Sequence, residues 1–411
     1  MRVLQPKDAT EAAETILWAA SQRQALEIRA GGSKSALGRP VRADALLDVS
    51  RLAGVVDYEP AELVLTARPG TPLKEIQALL AGNAQMLSFE PPDWRGLLGG
   101  GGEPTLDQPT LGEPTLGGII ACNLSGPRRL RAGAARDYFL GFSAINGRGE
   151  SFKAGGKVVK NVTGYDLCKL MAGSFGTLAL LTEVTVKVMP RPETACTLLL
   201  PGLSDETAIP LMAGALNSPH EISGAAHLPT AAAQRLGFAE SALTALRLEG
   251  PAPSIAFRVE ALVNAFGSGP RLDATETATF WRKIGDVAPL PPPDGRVVWR
   301  LCPTPSAAPA LTAAIREKLR SADGFYDGGG GLVWLSLDAA EAGADAGAAI
   351  VRAALKPLGG HATLVVASAA MRESVAVFEP VDAPLAALSR RIKQGYDPHG
   401  VLNPGRMREG M

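Results

Sequence analysis

The chain reads as an α+β protein in two parts, and three observations predict this. Up to about residue 190, short apolar strands near 45–49, 63–67 and 141–146 are interleaved with helical patterns and glycine-rich loops, as in a mixed α/β unit. Beyond Pro190 and Pro192 the pattern changes. Strands near 195–200, 254–260, 297–302, 332–337 and 362–367 alternate with helices near 205–216, 307–321 and 346–356, which suits an antiparallel sheet covered by helices on one face. The two prolines mark the boundary, and a last helix near 384–395 ends in DPHGVLNPG.

Residues 7–22 suit a helix with Ile16, Leu17 and Ala20 on one face, followed by a short apolar strand. Thr71 and Pro72 provide an N-cap and a first helical position for a helix through Leu80. Near the end of the first part, Val184, Val186 and Val188 alternate with Thr185 and Lys187, the two-residue period of a half-buried strand. Tyr165 and Asp166 read as a core aromatic and a helix cap.

Three glycine-rich loops carry the chemistry. The first strand runs into Gly31, Gly32, Ser33, Lys34 and Ser35, which offer backbone N–H groups, two hydroxyls and one cation, the equipment for wrapping a pyrophosphate. It matches neither GxxxxGK[ST] nor a GxGxxG turn opening a helix. A second loop runs from Pro114 through Thr115, Gly117 and Gly118 to Asn123 and Gly126, and a third places Ser174 and Phe175 between Gly173 and Gly176. Glycine at such turns lets the backbone approach a ligand closely. Three of them in under 200 residues point to one long ligand crossing a groove. Between Gly99 and Gly118 the tripeptide PTL recurs at Pro104, Pro109 and Pro114; the third repeat alone is followed by GGIIACN, which assigns the ligand loop to 114–123 and makes the preceding residues a bulge.

Composition excludes several classes. The 411 residues hold 41 Lys plus Arg against 41 Asp plus Glu, so no electrostatic case exists for nucleic acid or an anionic membrane surface. The N-terminus lacks a signal-peptide core and no stretch has the roughly 20 apolar residues of a span, which predicts a cytoplasmic protein. The four cysteines form no CxxC pair and the four histidines no HxH or HExxH, so neither a disulfide, a local iron–sulfur site nor a dedicated metal centre is expected.

The ordered motifs IRAGGSKSALG, PTLGGIIACN, AGAARDYFLG, KNVTGYDLCKLMAGSFGTLALLTEV and RIKQGYDPHGVLNPGRM resemble the FAD-binding family of vanillyl-alcohol oxidase and the D-2-hydroxyacid dehydrogenases. FEPPDW (Phe89 to Trp94), LSGPRR (Leu124 to Arg129) and VMPRP (Val188 to Pro192) are most similar to the smaller FAD-binding subunit of bacterial glycolate oxidases. The resemblance covers roughly the first 190 and the last 30 residues. It implies a PCMH-type FAD-binding domain of two α/β subdomains over 1–190, an α+β cap with an antiparallel sheet over 191–380, and a segment, 381–411, returning to the FAD domain.

By the same resemblance, Arg29, Gly31, Gly32, Ser33, Lys34 and Ser35 would hold the pyrophosphate. Pro114, Thr115, Gly117, Gly118, Asn123 and Gly126 would follow the flavin's middle, and Gly173, Gly176 and Thr177 would line the dinucleotide. Backbone at Glu183 and Val184 would meet the adenine, and Asn403 would approach the isoalloxazine. For Arg136 and Asp137 a mutual ion pair and a cofactor contact stand equally open.

Two departures bear on function. Ala30 stands where relatives commonly have glycine, which would tighten the loop, and no histidine lies near Ser33, so the FAD is expected to be non-covalent. The related dehydrogenases use clustered cap histidines, often around a metal, and this chain has none, so no catalytic base or carboxylate ligand is assigned. The expected function is that of an FAD-binding subunit in a complex oxidising glycolate, a small 2-hydroxy acid. Its partners would be a larger FAD-binding subunit and an iron–sulfur subunit, and the complex would place it peripherally at the inner membrane. The alternatives are a self-sufficient D-2-hydroxyacid dehydrogenase with Lys160, Arg258 or His361 as substrate contacts, a non-catalytic assembly subunit, and another use of the same flavin fold, such as a cell-wall sugar reductase.

Overall fold

The computed structural model describes residues 1–99, 112–157, 164–238 and 241–411. Lys160 and most of the bulge preceding Pro114, residues 100–111, lie outside them.

A three-stranded parallel sheet comes first in the chain, with Ala45–Asp48 between Arg2–Leu4 and Leu26–Arg29. The Ala9–Ser21 helix covers it, capped by Asp8, whose carboxylate accepts the N–H groups of Thr10 and Glu11. Its buried stripe is Ala12, Ile16 and Ala19, spaced four and three residues apart, and these pack on Leu26, Leu47 and Leu402. Leu17 is 57% exposed, so the expected face is turned by about one residue.

A five-stranded antiparallel sheet follows in the order Val55–Glu59, Val64–Ala67, Ala179–Lys187, Phe139–Asn146, Ser151–Gly155. The Ala179–Lys187 strand is central and buried on both faces. Val184 and Val186 enter the core, while Thr185 on the other face meets the Thr66 hydroxyl at 2.9 Å. Beside it the Leu73–Ala81 helix starts one residue later than expected. Pro72 takes the cap position, and the Thr71 hydroxyl donates to Arg68 O at 2.7 Å and accepts from Gly54 N instead.

The third sheet has eight antiparallel strands, ordered Arg271–Leu272, Thr194–Pro201, Leu243–Gly250, Gly224–Leu228, Asp323–Asp327, Leu332–Asp338, Arg296–Pro303, Gly360–Val366. Alternate residues divide between two cores. Leu198, Leu246, Trp299 and Leu335 meet the helices Asp205–Leu216, Ala252–Phe266, Ala308–Lys318 and Ala348–Leu355. Leu199, Ala245, Val298 and Trp334 belong to a core shared with the first part and with the Ala274–Gly285 helix. The strand expected near 254–260 is helical. Pro253 lies in its first turn and the buried residues Ile255, Arg258, Val259 and Leu262 follow a helical period.

The two parts meet over a charged seam. Glu90 receives Arg247 through both carboxylate oxygens (2.8 and 3.1 Å) and the Arg128 N–H at 2.7 Å, while Arg128 also pairs with Glu249. Arg247 is buried over the Trp281 ring, 4.7 Å from its centroid. Trp94 donates to Gly285 O at 3.0 Å and packs edge-on against Trp334 at 5.3 Å. The Asp93 N–H is accepted by Asp286 Oδ1 at 2.7 Å.

Burial pushes the Asp286 carboxyl up to about 6. Folded Asp286 therefore holds its proton more tightly than unfolded Asp286, and its contribution falls as pH rises from about 4 to 6. Asn at this position keeps an acceptor for the Asp93 N–H and cannot ionise. Relative to the parent, Asp286→Asn is expected to gain about 1–2 kcal/mol of stability between pH 4 and pH 7. Urea unfolding at the two pH values measures this, and an unchanged difference would mean that Asp286 is freely solvated.

Candidate functional site

The first loop is where backbone meets backbone. A Cβ on Gly31 would lie 2.1 Å from Glu113 O, and one on Gly112 would lie 2.4 Å from Gly31 O, so side chains at either position would force the two loops apart. Gly117 is similarly confined, with its Cβ position 2.4 Å from that of Pro69. Among the described residues no acceptor takes the N–H of Gly31, Gly32, Ser33 or Lys34. These donors border a cleft enclosing about 860 Å³ of non-protein space up to its mouth.

The cleft brings together Arg29, Gly31, Gly32, Ser33, Lys34, Ser35, Thr115, Gly117, Gly118, Gly176 and Asn403 from four separated stretches of chain. Among the described residues its charged lining is one-sided, with Arg29, Lys34 and Arg406 against Glu27. Among the described residues Lys34 Nζ bonds only the Ser33 hydroxyl (2.7 Å), and burial pushes its pKa down. Arg29 places Nη2 3.0 Å from Glu27, but its buried Nε has no partner among the described residues. Arg406, buried, donates to Lys34 O at 2.7 Å, and its pKa too is lowered by burial. Free N–H groups, an orphaned guanidinium nitrogen and surplus positive charge form the environment a diphosphate needs. Val49, Pro69, Met171, Phe175 and Leu180 supply apolar walls for flat rings. The residues therefore fit a dinucleotide such as FAD, and no histidine lines the cleft.

Asn403 closes the cleft. In left-handed conformation (φ 43°), it donates from Nδ2 to Phe175 O and accepts from Ile28 N at Oδ1, both at 2.7 Å. Its own N–H bonds Leu26 O at 3.0 Å. Behind it the buried Lys393 ammonium is held by Asp397 (2.6 Å), Thr177 O (2.7 Å) and Leu402 O (3.0 Å).

Other expected positions fall outside the cleft and make structural contacts. Pro114 O accepts from Leu73 N, and Gly126 packs against Glu90 O at the seam. Asn123 is a left-handed helix C-cap and accepts from Arg136 N. Gly173 bonds Ile120 O, and Thr177 donates to Ser174 O. Arg136 and Asp137 form a half-exposed 3.7 Å ion pair, with Asp137 accepting the Ala134 N–H that starts the short helix, so the ion-pair alternative describes their contacts. Val184 is paired on both sides within the sheet and Glu183 with Ser143 on one, and the strand meets the cleft earlier, at Ala179, Leu180 and Leu181. Asp166 caps its helix as expected, whereas Tyr165 is 93% exposed and no core residue. Arg258 donates to Ser254 O, His220 O and Glu249 O. Arg406 is the most telling residue that sequence reasoning passed over, although it stands in the quoted LNPGRM motif.

A second cavity of about 440 Å³ lies between the two parts and shares Cys122 with the cleft. Arg129, Arg300, Asp327, Trp94 and Trp334 line it. Burial pushes the Asp327 carboxyl up to about 6, and burial together with the neighbouring Arg300 lowers the Arg129 pKa. Beside it Cys302 and His361 occupy paired positions on adjacent strands, and the thiol is lowered against the cost of burial by His361 and the arginines. Among the described residues, no group of three His, Cys, Asp or Glu side chains could hold a metal ion.

Residues 1–102 match the FAD binding domain family. Glycolate oxidase subunit GlcE of Escherichia coli (strain K12) is 36% identical over 395 residues, 96% of this chain and 95% of that protein. The chain belongs to the GlcE family. Glycolate oxidase subunit GlcD of Bacillus subtilis (strain 168) is 30% identical over 198 residues, covering 48% of this chain and 38% of that protein. Among solved structures, a 4-ethylphenol oxidase from Gulosibacter chungangensis superposes with a TM-score of 0.70 at 14% identity, over 99% of this chain and 88% of that one. That likeness shows the PCMH-type α+β fold.

If the cleft holds FAD through its positive loop, Lys34→Met is expected to weaken FAD binding about tenfold, about 1.4 kcal/mol. Gly31→Val should abolish binding by driving the loops apart. Flavin fluorescence titration of apoprotein measures both, and parent-like affinity in Gly31→Val would move the cofactor elsewhere.

Proposed function

We propose that this GlcE-family chain is the FAD-binding subunit of a glycolate oxidase complex, acting with partner subunits to oxidise glycolate to glyoxylate. The observation that carries this reading is the cleft itself, in which, among the described residues, free backbone donors and three cations face a single carboxylate. Whole-length similarity to a glycolate oxidase subunit supplies the substrate class. Bound FAD would supply a two-electron acceptor for the substrate's hydride. This chain's residues would hold the diphosphate at Gly31 to Ser35 with Arg29, flank the rings with Gly117, Gly118 and Phe175, and fix the closing segment through Asn403. We take the FAD to be non-covalent, since the one cysteine lining the cleft, Cys122, has its thiol pushed up by burial.

Residues 1–190 with 381–411 form the flavin-binding part in this reading and 191–380 the cap. The partners are a larger FAD-binding subunit and an iron–sulfur subunit. No helix among the described residues is long and apolar enough to cross a membrane, which accords with a cytoplasmic subunit placed peripherally by its complex.

A second reading, turnover by this chain alone, is favoured by the polar cavity that adjoins the cleft. Glycolate-dependent dye reduction separates the two. The complex reading predicts reduction at full rate only when partner subunits are co-purified; an equal rate from the isolated chain would establish the second. Full activity of a complex whose copy of this chain cannot bind FAD would overturn both.

A further inference from the structure

We propose that the second cavity binds a small 2-hydroxy carboxylate, with Arg129 and Arg300 taking its carboxylate and Asp327 accepting a hydrogen bond from its hydroxyl. The proposal deepens the function given above and rests on it for the choice of glycolate as probe.

Both parts of the molecule build this cavity. Arg129 lies on the short Arg129–Ala132 helix of the first part, next to Ser125, and Arg300 and Asp327 lie on two strands of the eight-stranded sheet. Because Cys122 borders cavity and cleft alike, an occupant would lie beside whatever fills the inner end of the cleft. The edge-to-face pair Trp94 and Trp334 forms an apolar wall.

The charges distinguish this cavity from the seam around it. Arg128 and Arg247, close by, are tied to Glu90, and Arg128 also to Glu249. Among the described residues, Arg129 and Arg300 have no carboxylate within ion-pair distance. Two neighbouring guanidinium groups, neither ion-paired among the described residues, repel each other, and a carboxylate between them removes that repulsion while offering planar, paired acceptors. Asp327 is 5% exposed; its Oδ1 accepts the Gly328 N–H at 2.7 Å, and its Oδ2 takes no donor from the described residues. A hydroxyl beside the bound carboxylate satisfies that oxygen, so the cavity should select a 2-hydroxy acid over a plain carboxylate.

Calorimetric titration of the full chain with glycolate and with acetate tests this, in the parent and in Arg129→Gln, Arg300→Gln, Arg300→Lys and Asp327→Ala. Thermal midpoints and flavin content show which variants are folded. We expect Arg129→Gln and Arg300→Gln each to weaken glycolate binding at least tenfold, Arg300→Lys to recover part of the loss, and Asp327→Ala to bring glycolate down to the affinity of acetate. Parent-like glycolate binding in folded Arg129→Gln and Arg300→Gln, or no glycolate binding by the FAD-loaded parent, would overturn the site. A flavin-free chain that binds glycolate in an Arg300-dependent manner would instead support the site and count against the FAD subunit reading.

Discussion

The site depends on one residue near the end of the chain reaching back to its beginning. Asn403 bonds the backbone of Ile28 and of Phe175 with its two amide ends, and that of Leu26 with its own N–H. The first strand, the third glycine loop and the closing turn are thereby fixed at three edges of one cleft. An amide is suited to the position because it carries donor and acceptor on a short, planar group, and asparagine tolerates the left-handed backbone found there. The buried Lys393–Asp397 pair holds the turn from behind, and each acceptor of Lys393 belongs to a segment that the cleft needs in place. Buried pairs of this kind add little net stability, but losing one partner is costly, so the geometry is firmly specified.

A second constraint sets the cap against the flavin-binding part. Two of the segments that carried the resemblance, Phe89 to Trp94 and Leu124 to Arg129, do not line the cleft; they build the seam. Glu90 gathers two arginines, Trp94 reaches Gly285, and Gly126 allows the close approach that a side chain would block. The same segments border the second cavity.

Much of this was legible in the sequence, for physical reasons that differ by element. The loop at Gly31 to Ser35 announced itself because glycine, hydroxyl and cation coincide after a short strand, and the Ala383–Tyr396 helix and the valine strand kept clear periods. The stretch 254–260 misled because Ile255, Val259 and nearby apolar residues suit a strand locally, while the proline-led start and a four-residue repeat made it a helix. Tyr165 misled because an aromatic's burial depends on distant neighbours that no local pattern specifies. Arg406, Arg129 and Arg300 act through partners far away in the chain, or through the lack of them. Only the folded arrangement reveals that Arg128 is ion-paired while Arg129, among the described residues, is not.

The account turns on a positively charged cleft that holds FAD without a covalent bond. Denaturing the purified chain in acid and analysing supernatant and pellet tests this most directly. The account predicts stoichiometric FAD released into the supernatant and a colourless protein pellet. Flavin retained on the protein, or a chain purified colourless that takes up no FAD when it is supplied, would contradict it.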